Sequence, residues 1–386
     1  MLIMLRILLV LWYVYALFYY VAAQSETGGK SNQSVNVVVT EVTTNTTNPT
    51  SDSVVNVDCQ CVPYYLCNPT YDYRKVRSNT CSDYLEVCCD VGNIVNQPVT
   101  LKPNTSKLRN CGVRNAEGVG FQTVSGNDNE TQFGEFPWMI ALLQKQLKQD
   151  NKNIIYKYQC GASLIHPQVV LTAAHCISDK NHQYKIRAGE WDTQTDNEIY
   201  AHQERDVKTI LIHPQYYTRG VFYDYALLIL DSPLEITENV NVICLPNKNV
   251  SLDNLLCYTT GWGKEIFGIE GRYQNILKKV ELPIVNRHKC EEQLRTTRLG
   301  SRFKLHETYV CAGGYGIDTC KGDGGAALVC PISKEENRYF QAGILAWSIG
   351  CSRNSIPAAY ADVTKVLDWI DTEMVFNNFD TEFYRY

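Results

Sequence analysis

Two short strings in this 386-residue chain combine side chains that can move protons with apolar frames that would bury them. Leu171-Thr172-Ala173-Ala174-His175-Cys176 sets a histidine beside a cysteine at the end of an apolar run. Tyr223-Asp224-Tyr225-Ala226-Leu227-Leu228 sets a carboxylate at the start of another. An imidazole whose tautomer is fixed by a buried carboxylate can take the proton of a hydroxyl nucleophile, as serine hydrolysis requires. Two of the three groups of that constellation are in these strings.

Most of the chain that must position them reads as strand. Short runs rich in Val, Ile, Leu and Tyr, at 162–165, 168–173, 207–212, 225–230, 278–284 and 342–347, alternate with clusters of Gly, Asn, Asp and Pro. This pattern predicts an antiparallel all-β domain. Helical spacing shows only over 363–374, where Val366, Leu367, Trp369 and Ile370 form an apolar stripe. Neither an internal repeat nor a phosphate-cradling glycine loop is evident.

Arg6 precedes an apolar run from Ile7 to Val21, then Ala22 and Ala23, which predicts a secretory signal over 1–23 cleaved after Ala23. A membrane anchor is the competing reading, since Ile7 to Ala23 is nearly long enough to span a bilayer. The net charge of −5 argues against nucleic acid as a partner. Sixteen cysteines, an even number without spaced zinc-ligand sets, point to disulfides in an oxidising compartment. Five glycosylation sequons, at Asn32, Asn45, Asn104, Asn129 and Asn249, agree with a secretory route. Residues 24–57 are too polar to offset the cost of ordering and read as a flexible linker. Six cysteines then crowd into 58–90, a module that bridges must hold. A second linker, 91–110, leads to the large domain, 111–374, and a tail, 375–386.

From about Cys111 to Ile370 the chain resembles the trypsin-like serine proteases, whose His and Asp motifs the two strings match in family order. The resemblance implies a double antiparallel β-barrel with a C-terminal helix. It also implies a third motif in Asp318-Thr319-Cys320-Lys321-Gly322-Asp323-Gly324-Gly325-Ala326-Ala327-Leu328-Val329-Cys330, where the family has serine in place of Gly324. Glycine has no heteroatom to attack a carbonyl, and losing the nucleophile costs about a millionfold in rate. No catalytic residue is therefore expected: His175, Asp224 and Gly324 become vestigial triad positions, and neither Thr319 nor Ser348 is on the turn that would aim an oxygen at His175.

Active relatives are cut after a basic residue, and the freed Ile amine pairs with the Asp before the nucleophile. Phe121-Gln122-Thr123-Val124-Ser125-Gly126 offers Gln122 and Thr123 instead, so Asp323, if buried, must find another partner or stay protonated. Asp318 takes the position that binds a basic substrate side chain, with Trp347 as a wall. Ala346, Ser348 and Ala358 replace the usual Ser, Gly and Gly, which narrows this vestigial specificity pocket. Ala326 and Ala327 also depart from the family pattern, which bears on the shape of the loop.

The resemblance pairs Cys160 with Cys176, Cys111 with Cys244, Cys257 with Cys330, Cys290 with Cys311 and Cys320 with Cys351. The six-cysteine module resembles the arthropod clip domain, implying Cys59 to Cys88, Cys61 to Cys81 and Cys67 to Cys89, although spacing alone allows fifteen connectivities. Cys111-Gly112-Val113-Arg114-Asn115, Phe133-Gly134-Glu135-Phe136-Pro137-Trp138 and the glycine at 324 together resemble clip-domain serine protease homologues.

What that family implies is a secreted, extracellular, non-catalytic cofactor or regulator of an immune protease cascade, notably prophenoloxidase activation and melanisation. Its partners would be other proteins of the cascade, prophenoloxidase among them. Two other classes compete: an adhesion or microbial pattern-recognition protein, and an active protease of unusual mechanism. No cofactor is required. Gly189-Glu190-Trp191-Asp192 begins a loop that binds calcium in some relatives, where Glu198 or Glu204 would add oxygens, against the plainer reading of a solvated acidic loop. With no basic residue at Gln122, the expected cleavage site moves to Arg74, Lys75 and Arg77 between Cys67 and Cys81, and self-association would follow the cut. The rival reading of these cations is a solvated face of an uncut module.

Overall fold

In the computed structural model the described residues are 59–68, 81, 86–97, 110–120, 129–147, 154–177, 182–195, 198–263, 274–314, 323–333, 335–349 and 356–386. The expected signal and first linker, Asn32, Asn45, Arg74, Lys75, Arg77, Asn104, Gln122, Asp318, Cys320 and Cys351 lie outside them.

The strands of the described residues from Met139 onward close into two six-stranded barrels. The first barrel comprises β3 (Met139–Leu147), β4 (Ile154–His166), β5 (Val169–Thr172), β6 (Tyr184–Ala188), β7 (Gln203–Ile212) and β8 (Ala226–Leu230), in the order β3-β4-β5-β8-β7-β6. In β6 the alternation is plain: Tyr184, Ile186 and Ala188 are buried while Lys185 and Arg187 face outward. β8, Ala-Leu-Leu-Ile-Leu, is buried along its whole length and lies between β5 and β7. The second barrel comprises β9 (Leu256–Gly261), β10 (Lys278–Val285), β11 (Tyr309–Gly313), β12 (Ala327–Pro331), β13 (Tyr339–Trp347) and β14 (Pro357–Asp362), in the order β10-β11-β14-β13-β12-β9. All these ladders are antiparallel.

The register of β3 on β4 skips at Leu142/Leu143, which pair with Cys160 and Tyr158. Gln159 is thus the extra residue of a bulge, and its amide reaches the carbonyl of Cys176. Such bulges re-aim a strand where a site must be built.

Two helices attach to this frame. α1 (Arg287–Arg295) is absent from the sequence expectation, which saw helical spacing only near the C-terminus. Its signals are slight: Asn286 caps the His288 N–H at 3.0 Å, and only Cys290 and Leu294 are buried, one turn apart. α2 (Leu367–Phe376) follows a 3-10 turn at Val363–Lys365 and buries Leu367, Ile370 and Met374.

The domain was expected to end at 374, with a tail over 375–386. α2 runs past 374, and the chain then packs back on the barrels. His166 sits between Phe379 and Phe383, with ring centroids 5.0 and 4.7 Å away. Leu245 N–H donates to Tyr384 O at 2.9 Å, and Tyr386 stacks on Phe340. Among the described residues no helix is long and apolar enough to cross a membrane.

Ahead of the barrels, β1 (Cys59–Pro63) and β2 (Glu86–Asp90) form a two-stranded ribbon with Cys61 opposite Cys88. Bridges Cys59–Cys88, Cys61–Cys81 and Cys67–Cys89 hold it, each contributing on the order of 2–4 kcal/mol. The ribbon does not rely on bridges alone. Val62, Tyr64 and Val87 belong to the same buried cluster as the barrel residues, and the Tyr64 ring meets Trp191 edge-on at 5.7 Å. Cys111–Cys244, Cys160–Cys176, Cys257–Cys330 and Cys290–Cys311 bridge the barrel region.

Candidate active site

The imidazole and the carboxylate are set by the ends of two paired strands. After β5 ends at Thr172, a single 3-10 turn, Ala174–Cys176, carries His175 out of the sheet. Asp224 stands two residues before β8, whose first residue, Ala226, pairs with Thr172. One ladder therefore fixes both groups. His175 Nδ1 lies 2.7 Å from Asp224 Oδ2, and the His175 backbone N–H donates to Oδ1 at 2.8 Å. Asp224 is fully buried. With Nδ1 donating to the carboxylate, Nε2 is left as an acceptor.

The approach to Asp224 is held in an uncommon backbone shape. Val221 and Tyr223 have φ of 59° and 53°, which is costly for side chains of their bulk. The surroundings impose it. Tyr309 donates its hydroxyl to Val221 O at 2.6 Å, and the Tyr223 ring lies flat on His213 with centroids 5.1 Å apart.

The second barrel presents a turn to the imidazole. Ala326 N–H closes it on Asp323 O at 3.0 Å, and Gly161 N–H ties it to β4 through Gly324 O at 2.9 Å. At Gly325, with φ +78°, a Cβ would stand 2.4 Å from Gly161 O and 2.5 Å from Thr172 Oγ1, so only glycine fits. Gly324 differs. Its φ is outside the left-handed region, and a Cβ there would meet His175 Nε2 at 2.9 Å, with Cys160 Sγ further off at 3.7 Å. The backbone does not demand glycine at 324, and the imidazole stands against the space a side chain would use. Residue 324 offers the His175–Asp224 pair no heteroatom to deprotonate.

A family model described as Trypsin matches residues 125–370, more than half of the chain. The chain belongs to the trypsin family. Among its relatives, phenoloxidase-activating factor 2 of Galleria mellonella is 49% identical over 75% of this chain and 97% of its own length. Inactive CLIP domain-containing serine protease A8 of Anopheles gambiae is 37% identical over 81% of this chain and 87% of its own. A tryptase of Mus musculus is 34% identical over 65% of this chain and 86% of its own. The trypsin-family region is thus preceded by a clip-like, disulfide-held segment.

Two further positions bear on what this trypsin-family site can do. Asp323 finds its partner in the backbone, accepting Gly263 N–H on Oδ1 at 2.8 Å. Gly261 and Gly263 make the room, since a Cβ on either would stand 2.1 or 2.3 Å from that oxygen. Beside the site, Trp347 is held edge-on by Phe303 and Tyr309, while Ala346 and Ala358 are buried. The clustered ligand atoms of Cys160, His175 and Cys176 are no metal site, because both sulfurs are spent in their bridge.

The loop expected to hold calcium brings Glu190, Glu198 and His202 within 4.8 Å of one another. Calcium wants six to eight oxygens. One oxygen of each glutamate is engaged by protein groups. Arg187 Nη1 donates to Glu190 Oε2 at 2.7 Å, and Glu198 Oε1 accepts Trp191 and Asp192 N–H at 2.8 and 3.0 Å. Asp192 Oδ1 accepts Gln194 N–H. Glu204, expected to add an oxygen, instead takes Lys185 and Arg187, each at 2.9 Å. The Arg187 guanidinium, shared between Glu190 and Glu204, offsets part of the charge of the cluster. Burial and the nearby Glu190 push the Glu198 carboxyl well above the usual range.

The sequence reading missed one buried ion cluster. Arg114 Nη2 reaches Glu135 Oε1 at 2.5 Å, Lys279 Nζ lies 3.0 Å from both carboxylate oxygens, and Gln132 N–H adds a bond at 2.8 Å. The Arg114 guanidinium also rests 4.4 Å over the Tyr258 ring. Arg114 and Glu135 both stand in quoted motifs, but nothing in their spacing pairs them.

Proposed function

We propose that this chain is a secreted, non-catalytic clip-domain serine protease homologue, acting as a cofactor or regulator in an extracellular immune cascade that activates prophenoloxidase and leads to melanisation. The observation that carries the reading is the bare backbone of Gly324 against His175 Nε2, at the place where the family pattern has its nucleophile. A buried carboxylate and an oriented imidazole can raise the reactivity of a hydroxyl, but at 324 they have none to act on. The names of two relatives, a phenoloxidase-activating factor and an inactive CLIP-domain protease, support the cascade and the loss of catalysis respectively. The disulfides suit an oxidising, extracellular setting.

In this reading the protein works by binding its cascade partners. Cleavage at Arg74, Lys75 or Arg77 switches it, and self-association follows the cut. The test is to add purified protein to plasma depleted of it, compare phenoloxidase output for wild type and His175→Ala, and assay peptide ester hydrolysis in parallel. Equal output from both proteins with no hydrolysis is expected. Hydrolysis that follows the protein and vanishes in His175→Ala would overturn the non-catalytic reading. Unchanged output with and without the protein would overturn the cascade role and favour adhesion or microbial recognition.

A further inference from the structure

Two of the five sequons, at Asn129 and Asn249, fall within the described residues, and the fold treats them differently. Asn129-Glu130-Thr131 runs beside β10: Asn129 O accepts the Lys279 N–H at 2.7 Å, Glu130 is paired with Lys278, and Glu130 and Thr131 are buried. Asn249 lies on a turn instead. Val250 N–H donates to Asn247 O at 3.1 Å, which closes the turn and leaves Asn247, Lys248 and Asn249 exposed. The Asn249 side chain takes no hydrogen bond among the described residues, and Ser251, the hydroxyl residue of its sequon, is exposed as well. An amide with no bond to lose, on a turn in water, can be modified without disturbing the fold.

This turn has a fixed neighbour. Leu245, just before it, is tied to the docked tail through Tyr384 O, and Lys248 pairs with Asp368 in the first turn of α2. Asp368 and Val375 are two helical turns apart, so they share one face of α2, about 10.5 Å apart along its axis. Val375 and Phe376 end that helix at 67% and 81% exposure, the two highest values for large apolar side chains among the described residues. Adjacent bare apolar side chains invite association unless something covers them. The Asn249 turn is the loop that the Lys248–Asp368 pair holds to this face.

We infer that Asn249 carries an N-linked oligosaccharide, which lies along the outer face of α2 and covers Val375 and Phe376. In the transfer, Asn249 Nδ2 bonds to the anomeric carbon of the sugar and gives up one proton to a base of the transferring enzyme. The bond from that carbon to the pyrophosphate of a lipid-linked oligosaccharide donor breaks, and lipid pyrophosphate leaves. A branched oligosaccharide is longer than the two helical turns to be spanned, and it is bulky and solubilising. The C–H faces of its rings suit apolar side chains, while its hydroxyls stay in water. The inference rests on the secreted reading of the chain, because the donor is met on the secretory route.

The test expresses the full chain in cultured insect cells and samples both medium and cells. An amidase that releases N-linked sugars, applied in heavy-oxygen water, should leave a labelled aspartate at 249, read by peptide mass spectrometry. Ser251→Thr should keep that label, and Asn249→Gln and Ser251→Ala should lose it. The two glycan-free variants should bind at least about twofold more of an apolar-surface dye than wild type and should self-associate. Adding Val375→Ser and Phe376→Ser to Asn249→Gln should return both readings to wild type. Secreted protein with Asn249 unlabelled would overturn the inference while leaving secretion standing. Chain found only inside the cells would overturn the secreted reading, and the inference with it. A labelled 249 with dye binding unchanged in Asn249→Gln would overturn the covering of α2.

Discussion

Restoring a serine at 324 is the sharpest perturbation of the site, because the geometry fixes what must move. A Cβ at 324 would stand 2.9 Å from His175 Nε2, about 0.5 Å inside ordinary contact. The ring cannot swing freely, since Nδ1 is held at 2.7 Å by Asp224 and the same carboxylate grips the His175 N–H. A straight retreat would press Nδ1 onto Asp224, so the ring must turn instead, which bends the Nδ1 bond and forfeits roughly half of a hydrogen bond to a charged group, about 1 kcal/mol. The lower entropy of the unfolded chain returns about 0.4–1 kcal/mol, so stability should change little, within about 2–4 °C in Tm.

Catalysis is affected far more, because the displaced base is turned out of line with its orienting carboxylate. Gly324→Ser should hydrolyse an arginyl peptide ester at least about a thousandfold more slowly than an ordinary trypsin-family enzyme. The assay is ester turnover with titration by an active-site phosphonate, read beside the downfield proton resonance of His175 Nδ1–H, which should shift in the variant. Turnover within about tenfold of an ordinary enzyme, with that resonance unmoved, would refute the reasoning.

Burial lowers the His166 pKa to about 4, from about 6.5 in the unfolded chain. The folded state thus binds fewer protons in that window, and stability present above pH 6.5 is lost as pH falls toward 4. His166→Asn, which can still accept the Gln168 N–H, should melt with a shallower acid dependence than wild type over that range. Glu135→Ala leaves Arg114 and Lys279 without their shared buried carboxylate and should cost about 3–5 kcal/mol in denaturant unfolding. Millimolar calcium, or chelation, should leave Tm unchanged, where a bound ion would raise it by mass action.

The parts of the fold that could be read from sequence are those with strict periodicity or local chemistry. The runs at 168–173 and 225–230 are the apolar strands β5 and β8, so strands were the natural expectation there. The dyad was legible because its flanking residues are local to each strand end. α1 escaped because two buried residues in nine give a weak period, and its stability comes from capping and the Cys290–Cys311 bridge. The docked tail escaped for a related reason. Phe379, Phe383 and Tyr386 follow no period, and their partners His166 and Phe340 are remote in sequence. The Glu190 cluster was seen as acidic, but only the β6–β7 ladder reveals that Arg187 and Lys185 stand opposite Glu204 and Asp206.

The edge-on packing of Tyr64 on Trp191 has a thermodynamic meaning. With Val62 and Val87 in the same core as the barrel, the small ribbon is not a bead on a string, and residues Val57–Tyr386 form one compact unit. Its melting should merge with that of the first barrel in a single calorimetric transition, and the slowest-exchanging amides of β1 and β2 should open only when the barrel opens. Any event that loosens the ribbon, a backbone cut included, would then register as a lower unfolding free energy of the barrel it leans on. The two regions would share one equilibrium constant, and a change in the smaller would be felt throughout the larger without any hinge to carry it.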